Sequence, residues 1–406
     1  MSGLRLGLVG AFNFPAPQGS QVYARGQALA LAKAGAEVTL LCYGRGEGAP
    51  PGGLRVLRVA RAISPRSLRA GPELAKPLAD AALLRLVISA TRRLRLDALL
   101  AHNAEAAYVA LAARRATGVP VVYAVHTLLE EELPSYAPRA LAGALRRAGR
   151  ALDERLARGA DAVLALTEAA ADRLGGARTL AVIPPGLDAL PPPAASEIAR
   201  ACARHTLTPG GFALYAGNLD AYQGLDRLDG AAARLPDLPV VAATHAAENA
   251  HFRHLRVVRV EDAEETRALL HGAALAVAPR TCHGGFPIKL LNYMEAGRAI
   301  VAPRDLVDTL RHGESAWLVP PDATPADVAS AIGTLRRDPA RAAALGAAAR
   351  AALELEHAWP DLAERTLALV RRARAASPIT SAAGAPAPAG PSSRPAPRAS
   401  SGDPPR

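Results

Sequence analysis

Residues 274–297 read A-L-A-V-A-P-R-T-C-H-G-G-F-P-I-K-L-L-N-Y-M-E-A-G, and this stretch decides the fold class. It begins with an apolar run at residues 274–278, turns through Gly284 and Gly285, and continues as a helix-length segment with Pro287 near its first position. Proline is favoured at the first helical position because its missing N–H would have no partner inside the helix. An apolar strand, a glycine turn and a helix form the repeating unit of a parallel α/β sheet.

The same alternation runs through both halves of the chain. Apolar runs predict strands at residues 6–9, 37–41, 54–59, 98–101, 121–125, 162–166 and 180–183, then at 212–215, 240–243, 256–260, 274–278, 299–302 and 316–319. Helices are predicted at residues 22–34, 104–117, 138–158, 225–234, 263–271, 288–296 and 325–353. Gly35, Gly118 and Gly159 are placed to form left-handed C-caps. Strands that are apolar throughout indicate parallel sheets covered on both faces by helices.

Prolines divide the chain into two such halves. Residues 191–193 are all proline and follow a proline pair at 184–185, and proline is excluded from helix interiors and central strands. We therefore predict one doubly wound Rossmann-like domain at residues 1–190 and a second at residues 191–356, facing each other across a cleft. Residues 377–406 are rich in Pro, Ala and Ser without apolar periodicity, and we predict a disordered tail there.

Composition sets the class of protein. The chain has 406 residues, of which 50% are apolar and 4% aromatic, which is typical of a globular protein with two or three domains. Its formal net charge of +11 comes almost entirely from arginine, because lysine occurs only at Lys33, Lys76 and Lys289. An arginine- and alanine-rich composition is typical of a GC-rich genome, so this charge alone indicates no partner.

Cysteine usage and hydropathy indicate the compartment. Cys42, Cys202 and Cys282 are far apart and form no C-x-x-C pair, which argues against a disulfide framework or a zinc cluster and favours a reducing cytoplasm. The sequence shows no signal-peptide pattern and no apolar run of about 18–20 residues that could span a membrane.

The turn at Gly284 and Gly285 is a candidate anion site. A glycine turn before a helix leaves backbone N–H groups free, and a helix N-terminus favours an anion by about 0.3–1 kcal/mol, or about 2 kcal/mol when partly buried. Lys289 stands in the first turn of the predicted helix, where a cation is unfavourable unless an anion is bound nearby. The stretch indicates either a phosphate site or an ordinary strand–turn–helix joint with a solvated lysine.

Seven motifs resemble, in order, those of the retaining glycosyltransferases of family 4, which have the GT-B fold. Residues 285–287 and 293–297 align without gaps to the signature E-G-F-P-x-x-x-x-E-x-M-A-x-G. The other pieces are residues 15–23 (P-A-P-Q-G-S-Q-V-Y), 31–38, His126-Thr127, 183–188 (I-P-P-G-L-D), 215–224 (Y-A-G-N-L-D-A-Y-Q-G) and 357–359 (H-A-W). The resemblance extends from about residue 4 to residue 372.

The resemblance implies transfer of a sugar from a nucleotide-sugar donor to a glycan or glycolipid acceptor, with retention of the anomeric configuration. It implies a metal-independent cytoplasmic enzyme of cell-envelope or exopolysaccharide biosynthesis, with a UDP- or GDP-linked co-substrate and no cofactor. It also implies that a C-terminal helix at residues 357–376 packs back on the first domain. The candidate catalytic residues are His126, Arg280 and Lys289, and the candidate donor-binding residues are Gly19, Ser20, Gly217, Asn218, Gln223, Gly284, Gly285, Phe286, Pro287, Ile288, Lys289, Leu290 and Asn292.

The chain departs from the family at four charged positions. Gly284 and Asn292 stand where the family has glutamates for the donor sugar and the ribose, and Asn218 and Gln223 stand where it has an Arg and a Lys for the diphosphate. A hydrogen bond to a charged group contributes about 1.5–3 kcal/mol, so losing the basic pair costs about 3–6 kcal/mol. Expressed in the transition state, this is a factor of about 10²–10⁴ in rate.

Two interpretations follow from these departures. Either Arg280, Lys289 or Arg304 supplies the missing positive charge, or the chain is a weakly active or non-catalytic nucleotide-sugar- or carbohydrate-binding relative. We favour compensation, because Lys289 is one of only three lysines and Arg280 follows a strand at the predicted cleft.

Other functions fit less well. A nicotinamide dehydrogenase is disfavoured because Gly7 and Gly10 do not form the G-x-G-x-x-G pattern. Nucleic acid is an unexpected partner, since basic residues are scattered and aromatic residues are few. The predicted helix at residues 138–158 has a basic face, which is either a solvated surface or a peripheral contact with anionic lipids. Its arginines are Arg139, Arg146, Arg147, Arg150, Arg155 and Arg158.

Overall fold

The computed structural model describes residues 3–16, 18–46, 50–65, 76–136, 138–245, 252–280, 285–304 and 306–376. These residues form two parallel sheets, one from each half of the chain. The tail predicted at residues 377–406 and the site candidate Gly284 lie outside the described residues.

The first sheet has seven parallel strands in the order β3-β2-β1-β4-β5-β6-β7. The strands are β1 (Arg5–Asn13), β2 (Glu37–Tyr43), β3 (Arg55–Arg58), β4 (Ala98–His102), β5 (Val121–Val125), β6 (Ala162–Ala165) and β7 (Leu180–Val182). The helices of this half are α1 (Gly19–Lys33), α2 (Lys76–Leu94), α3 (Asn103–Thr117), α4 (Leu129–Glu132), α5 (Ala142–Gly159) and α6 (Glu168–Arg173). Every residue of β4 and β5 is buried, as a sheet covered on both faces requires.

The second sheet has six parallel strands in the order β10-β9-β8-β11-β12-β13. The strands are β8 (Ala213–Ala216), β9 (Val240–Thr244), β10 (Arg256–Arg259), β11 (Leu275–Val277), β12 (Ala299–Pro303) and β13 (Trp317–Val319). The helices of this half are α7 (Ala195–Arg204), α8 (Leu225–Ala232), α9 (Ala263–Gly272), α10 (Lys289–Glu295), α11 (Pro325–Arg337) and α12 (Pro339–Glu356). The two doubly wound sheets confirm the predicted GT-B fold class.

Strand order places the candidate site. In the first sheet β1 lies between β2 and β4, and in the second sheet β8 lies between β9 and β11, so the order reverses beside each of these central strands. Ligands of open parallel sheets bind at such reversal points, beyond the carboxyl ends of the strands. Almost all of the candidate residues follow β1, β5, β8 or β11 and are therefore brought to these edges.

A last helix, α13 (Trp359–Ala376), returns to the first half of the chain as predicted, packing on α1 and β6. The Trp359 ring stacks on Tyr23 of α1 with 6.0 Å between ring centroids. A Cβ atom at Gly26 or Gly186 would lie 2.5 Å from the Trp359 ring, so both glycines make room for the indole. Residues 190 and 356 are the domain limits that we propose.

One predicted helix is in fact two. The segment predicted at residues 325–353 breaks at Asp338, which has φ −126° and ψ 78° and separates α11 from α12. The break is caused by Pro339, because a residue that precedes proline is disfavoured in the helical region. The Asp338 carboxylate then accepts a hydrogen bond from the backbone N–H of Arg341 at 2.9 Å and so caps α12.

Two further expectations around residues 138–159 were wrong. The basic helix begins at Ala142 rather than at residue 138, after a short 3₁₀ turn at Arg139–Leu141. Gly159 is the last residue of this helix and not a left-handed C-cap, because the extended backbone of Ala160 ends it. Gly35 and Gly118 do adopt positive φ, at 90° and 72°, as predicted.

The helices of the described ranges are too short or too polar to span a membrane.

Candidate active site

The carboxyl end of β8 and the first turn of α10 share a closed set of hydrogen bonds, the 215–289 ring, formed by Tyr215, Asn218, Gln223 and Lys289. Lys289 Nζ donates to the Tyr215 hydroxyl at 2.8 Å and also to Gln223 Oε1. Gln223 Nε2 donates to Asn218 Oδ1 at 2.7 Å, and the Tyr215 hydroxyl donates to the Asn218 carbonyl. Asn218 and Gln223 are therefore bonded to each other, and Gln223 is also bonded to Lys289.

Tyr293 fixes the helix that carries Lys289. Its hydroxyl accepts from the backbone N–H of Ala216 at 2.8 Å and donates to the Ala216 carbonyl at 3.1 Å, which pins α10 to the end of β8. Tyr293 follows Lys289 by four residues, so both side chains lie on one face of the helix. This register directs the Lys289 amine to the loop after β8.

Gly217 is required by the backbone of the ring. Its φ is +156°, and a Cβ atom there would lie 2.9 Å from the Tyr215 hydroxyl and 3.2 Å from Lys289 Nζ. A side chain at this position would force the Tyr215 hydroxyl or the Lys289 amine to shift.

Two basic side chains converge at the ring. Lys289 Nζ lies 4.3 Å from the centroid of the Tyr215 ring, and the Arg280 guanidinium carbon lies 5.6 Å from that of Tyr222. Desolvation, followed by repulsion from Arg280, lowers the pKa of Lys289 well below its ordinary value, and Asp220 acts in the opposite direction. Arg280 Nε is buried and has no hydrogen-bond partner among the described residues. Buried donors are normally paired, so an anion bound here would pair with Arg280 and favour the protonated form of Lys289.

The helix after the glycine turn starts later than predicted. It begins at Lys289, with Ile288 as its N-cap, and Pro287 lies before it. The backbone N–H of Leu290 is bonded to the Pro287 carbonyl at 2.9 Å and is not free for a ligand. Because α10 has only seven residues, side-chain cations contribute more positive charge here than its dipole does.

The other candidate residues of the second half take no part in the 215–289 ring. Phe286 and Leu290 are 7% and 0% exposed and belong to the core, where the Phe286 ring lies 5.4 Å from that of His357. Asn292 is exposed on α10. Arg304 is exposed and lines a separate cavity of about 440 Å³ whose lining includes none of the 215–289 ring.

On the first sheet, His126 does not stand alone. Its Nε2 lies 3.0 Å from Nδ1 of His102, which ends the neighbouring strand β4, and Tyr23 packs edge-on against both imidazoles at 4.9 and 5.7 Å. Burial lowers the pKa of His102 to about 3. Burial and then the neighbouring His102 lower the pKa of His126 well below its ordinary value. This histidine pair, His102 and His126, is therefore neutral at physiological pH.

The segment after Gly284 touches the first half of the chain. A Cβ atom at Gly285 would lie 2.1 Å from the His126 carbonyl and 3.0 Å from Thr127 Oγ1, so only a glycine allows this approach. A Cβ atom at Gly19 would lie 3.6 Å from Cγ1 of Ile288. Residues 285–289 therefore run from the histidine pair to the 215–289 ring.

The junction of β4 and α3 is strained beside the histidine pair. Asn103 follows His102 and has φ +72°, which is unusual for a residue other than glycine. Its Nδ2 donates to Oγ of Ser20, the second residue of α1, at 3.3 Å. Strained residues of this kind are found often at functional sites.

Sequence reasoning did not select Tyr215, Tyr23, Asn103 or His102 as site residues. A signal was present for two of them. Tyr215 opens the Y-x-G motif, and His102 ends the strand beside the one that His126 follows. The contact of Tyr23 depends on how α1 packs, which no local pattern reveals.

In the described part of the chain, no three His, Cys, Asp or Glu residues are grouped so that they could hold a metal ion. Cys42 and Cys202 are buried and free. Cys282 lies outside the described residues.

The sequence matches two family models in succession. The first, described as a glycosyl transferase 4-like domain, covers residues 18–186, and the second, glycosyl transferases group 1, covers residues 212–338. Both halves of the chain are glycosyltransferase domains. The first contains the histidine pair and the second contains the 215–289 ring. A comparison with curated proteins returned no match.

Solved structures with the same fold cover nearly the whole glycosyltransferase. Sucrose-phosphate synthase from Thermosynechococcus elongatus has a TM-score of 0.76 at 19% identity, with 92% of this chain and 100% of that chain covered. HepE from Anabaena, in complex with UDP and glucose, has a TM-score of 0.71 at 16% identity, with 91% and 99% covered. WaaG, a glycosyltransferase involved in lipopolysaccharide biosynthesis, has a TM-score of 0.65 at 15% identity, with 90% and 99% covered. At these identities the likeness shows the fold alone.

Proposed function

We propose that this chain transfers a glycosyl group from a UDP- or GDP-linked sugar to a glycan or lipid-linked glycan acceptor, with retention at the anomeric carbon. The observation that carries the proposal is the 215–289 ring with Arg280 beside it. The positive charge missing at residues 218 and 223 is present at Lys289, whose amine is bonded to Gln223. The complex of HepE with UDP and glucose supports a uridine nucleotide as the first donor to test.

The donor diphosphate would bind between Lys289 and Arg280. Departure of a nucleoside diphosphate places negative charge on its terminal phosphate, and fixed cations in a water-poor site stabilise such charge strongly. Lys289 and the unpaired Nε of Arg280 are already desolvated, so little reorganisation is needed when the charge develops. Asn292, which has both donors and an acceptor, would bind the ribose hydroxyls.

The donor sugar would lie between residues 285–288 and the histidine pair, because Gly285 approaches the His126 carbonyl closely. His126 would contact the sugar, and Gly19 and Ser20 would line the cleft from the start of α1. For retention, the acceptor hydroxyl attacks the face from which the phosphate departs, and the departing phosphate oxygen accepts the hydroxyl proton. The bond from the anomeric carbon to the phosphate oxygen breaks as the bond to the acceptor oxygen forms.

The test is release of nucleoside diphosphate from a panel of UDP- and GDP-sugars in the presence of glycan acceptors, followed by NMR assignment of the new anomeric linkage. We expect release with at least one donor, and a product with the anomeric configuration of that donor. Binding of a nucleotide-sugar without any release would favour the alternative, a carbohydrate-binding relative without turnover. An inverted product would contradict the retaining mechanism.

We also propose that the basic face of α5 contacts an anionic membrane, which fits a lipid-linked acceptor and a role in cell-envelope or exopolysaccharide biosynthesis. Arg146, Arg147 and Arg155 are exposed there without an ion pair among the described residues, whereas Arg150 and Arg158 both pair with Glu154. Each basic residue near an anionic surface contributes about 1 kcal/mol.

We expect Arg146→Glu/Arg147→Glu to weaken sedimentation with phosphatidylglycerol vesicles at least about tenfold. Unchanged sedimentation would contradict this, and Arg336→Glu/Arg337→Glu on α11 is the matched control.

A further inference from the structure

The histidine pair can share only one proton. Nδ1 of His102 and Nε2 of His126 are 3.0 Å apart, and burial keeps both rings neutral. A hydrogen bond between two neutral imidazoles has one donor nitrogen and one bare nitrogen. Either His102 donates from Nδ1, or His126 donates from Nε2.

The second nitrogen of His102 decides between these arrangements. His102 Nε2 is buried and has no hydrogen-bond partner among the described residues. If His126 donated, the proton of His102 would lie on this Nε2 and form a buried N–H without an acceptor. Buried N–H groups without a partner are rarer than acceptors left incompletely paired. The arrangement in which His102 Nδ1 donates therefore has the lower free energy.

The surroundings of the pair keep it uncharged. His102 is the N-cap of α3, a helix of 15 residues, so the positive end of that helix dipole opposes an imidazolium at this position. The titratable group in ring contact with both histidines is Tyr23 of α1, and burial raises the pKa of this phenol, so it stays protonated. His102 acts on His126 through the shared hydrogen bond and by lowering its pKa further.

We propose that His102 is a positioning residue that holds His126 in the tautomer protonated at Nδ1. With Nε2 occupied by His102, Nδ1 is the nitrogen that remains for a ligand, and His126 keeps 7% of its surface exposed. His126 is then a neutral hydrogen-bond donor to an oxygen of the bound sugar and not a general base. This consequence for the sugar rests on the proposed function, whereas the tautomer itself does not.

The tautomer is measured by ¹⁵N NMR of the full-length chain labelled at histidine, with His126→Asn for assignment. We expect a protonated Nδ1 and a bare Nε2 at His126 in the wild type. His102→Asn should keep this state, because the asparagine amide can donate from nearly the position of the imidazole Nδ1. His102→Leu should release His126 to the tautomer protonated at Nε2. A wild-type His126 protonated at Nε2 would overturn the proposal, as would an unchanged tautomer in a folded leucine variant.

Turnover gives the second readout with a UDP- or GDP-sugar that the enzyme accepts. We expect His102→Leu to lower kcat about tenfold, which is the effect of losing one positioned hydrogen bond, with unchanged affinity for UDP or GDP. His102→Asn should stay within about threefold of the wild type, and His254→Leu, at an exposed histidine of the second half, is the matched control. Equal losses in the asparagine and leucine variants would overturn the positioning role. The NMR result requires no substrate, so it decides the tautomer even where no donor is turned over.

Discussion

The two sides of the candidate site have opposite electrostatic character. The second sheet presents two basic side chains, the desolvated amine of Lys289 and the guanidinium of Arg280, beside an uncharged hydrogen-bonded ring. The first sheet presents two neutral imidazoles enclosed by an aromatic ring. Charge is concentrated where a diphosphate would depart, and it is absent where an uncharged sugar would bind. The same fold element, a loop after a parallel strand, thus serves two different kinds of contact.

The largest expected effect comes from removing the lysine. Lys289→Met keeps the length of the side chain but deletes the charge and both hydrogen bonds to the ring. We expect the affinity for UDP or GDP to fall by about 10- to 100-fold, the value of a hydrogen bond to a charged group. Calorimetric titration measures it, and Lys33→Met, at an exposed lysine of α1, is the matched control. An unchanged affinity would show that this cation has no role on the phosphate side.

Moving the charge from residue 289 to residue 223 sharpens the comparison further. Gln223→Lys combined with Lys289→Met places one ammonium at residue 223 and none at residue 289. We expect the double variant to recover at least about tenfold of the affinity lost in Lys289→Met, because one charged hydrogen bond is restored. Gln223→Lys alone should be destabilised, since two ammonium groups would then lie within hydrogen-bond distance. If the double variant loses as much nucleotide affinity as Lys289→Met alone, this would argue against relocation of the charge.

Two arginine substitutions test whether Arg280 or Arg304 contacts the phosphates. Arg280→Gln should lower nucleotide affinity about tenfold, because its buried Nε lacks a hydrogen-bond partner among the described residues. Arg304→Gln should leave the affinity unchanged, since Arg304 lines a different cavity. The opposite ranking of the two variants would move the phosphate site away from the 215–289 ring.

The smallest expected effect is on stability. The pKa of Lys289 is lowered in the folded chain, so the unfolded chain binds more protons, and the free energy of unfolding rises with pH until the unfolded lysine titrates near about 10.4. The increase in Tm between pH 7 and 9.5 should therefore be larger in the wild type than in Lys289→Met. The difference should be about 2–4 °C for each kcal/mol that Lys289 adds to the free energy of unfolding over this pH range. The histidine pair lies outside this pH window. Parallel Tm curves for the two proteins would contradict the burial of the lysine amine.

The sequence predicted the fold well, because parallel strands that are apolar on both faces give a strong signal and the glycine turns mark their ends. Boundaries failed where a single residue decides them. Pro339 broke a predicted helix, and α10 began at Lys289 and not at Pro287. Both are local steric effects that apolar periodicity does not report.

The candidate site was predicted in part. Lys289 and Arg280 were chosen for their position after a strand; the structure bonds Lys289 to Gln223 and places the Arg280 guanidinium over the Tyr222 ring. The partnership of His102 with His126 was not predicted, because it depends on the spacing of β4 and β5 in the sheet and not on any motif. Side-chain pairs between neighbouring strands need the register, which the sequence alone does not provide.

Calorimetric titration of the full-length chain with UDP and GDP, and with uridine and guanosine, tests the central claim most directly. If Lys289 and Arg280 replace the basic pair, the wild type should bind one diphosphate much more tightly than its nucleoside, and Lys289→Met/Arg280→Gln should reduce that diphosphate to nucleoside affinity. A diphosphate preference that survives the double substitution would contradict the account.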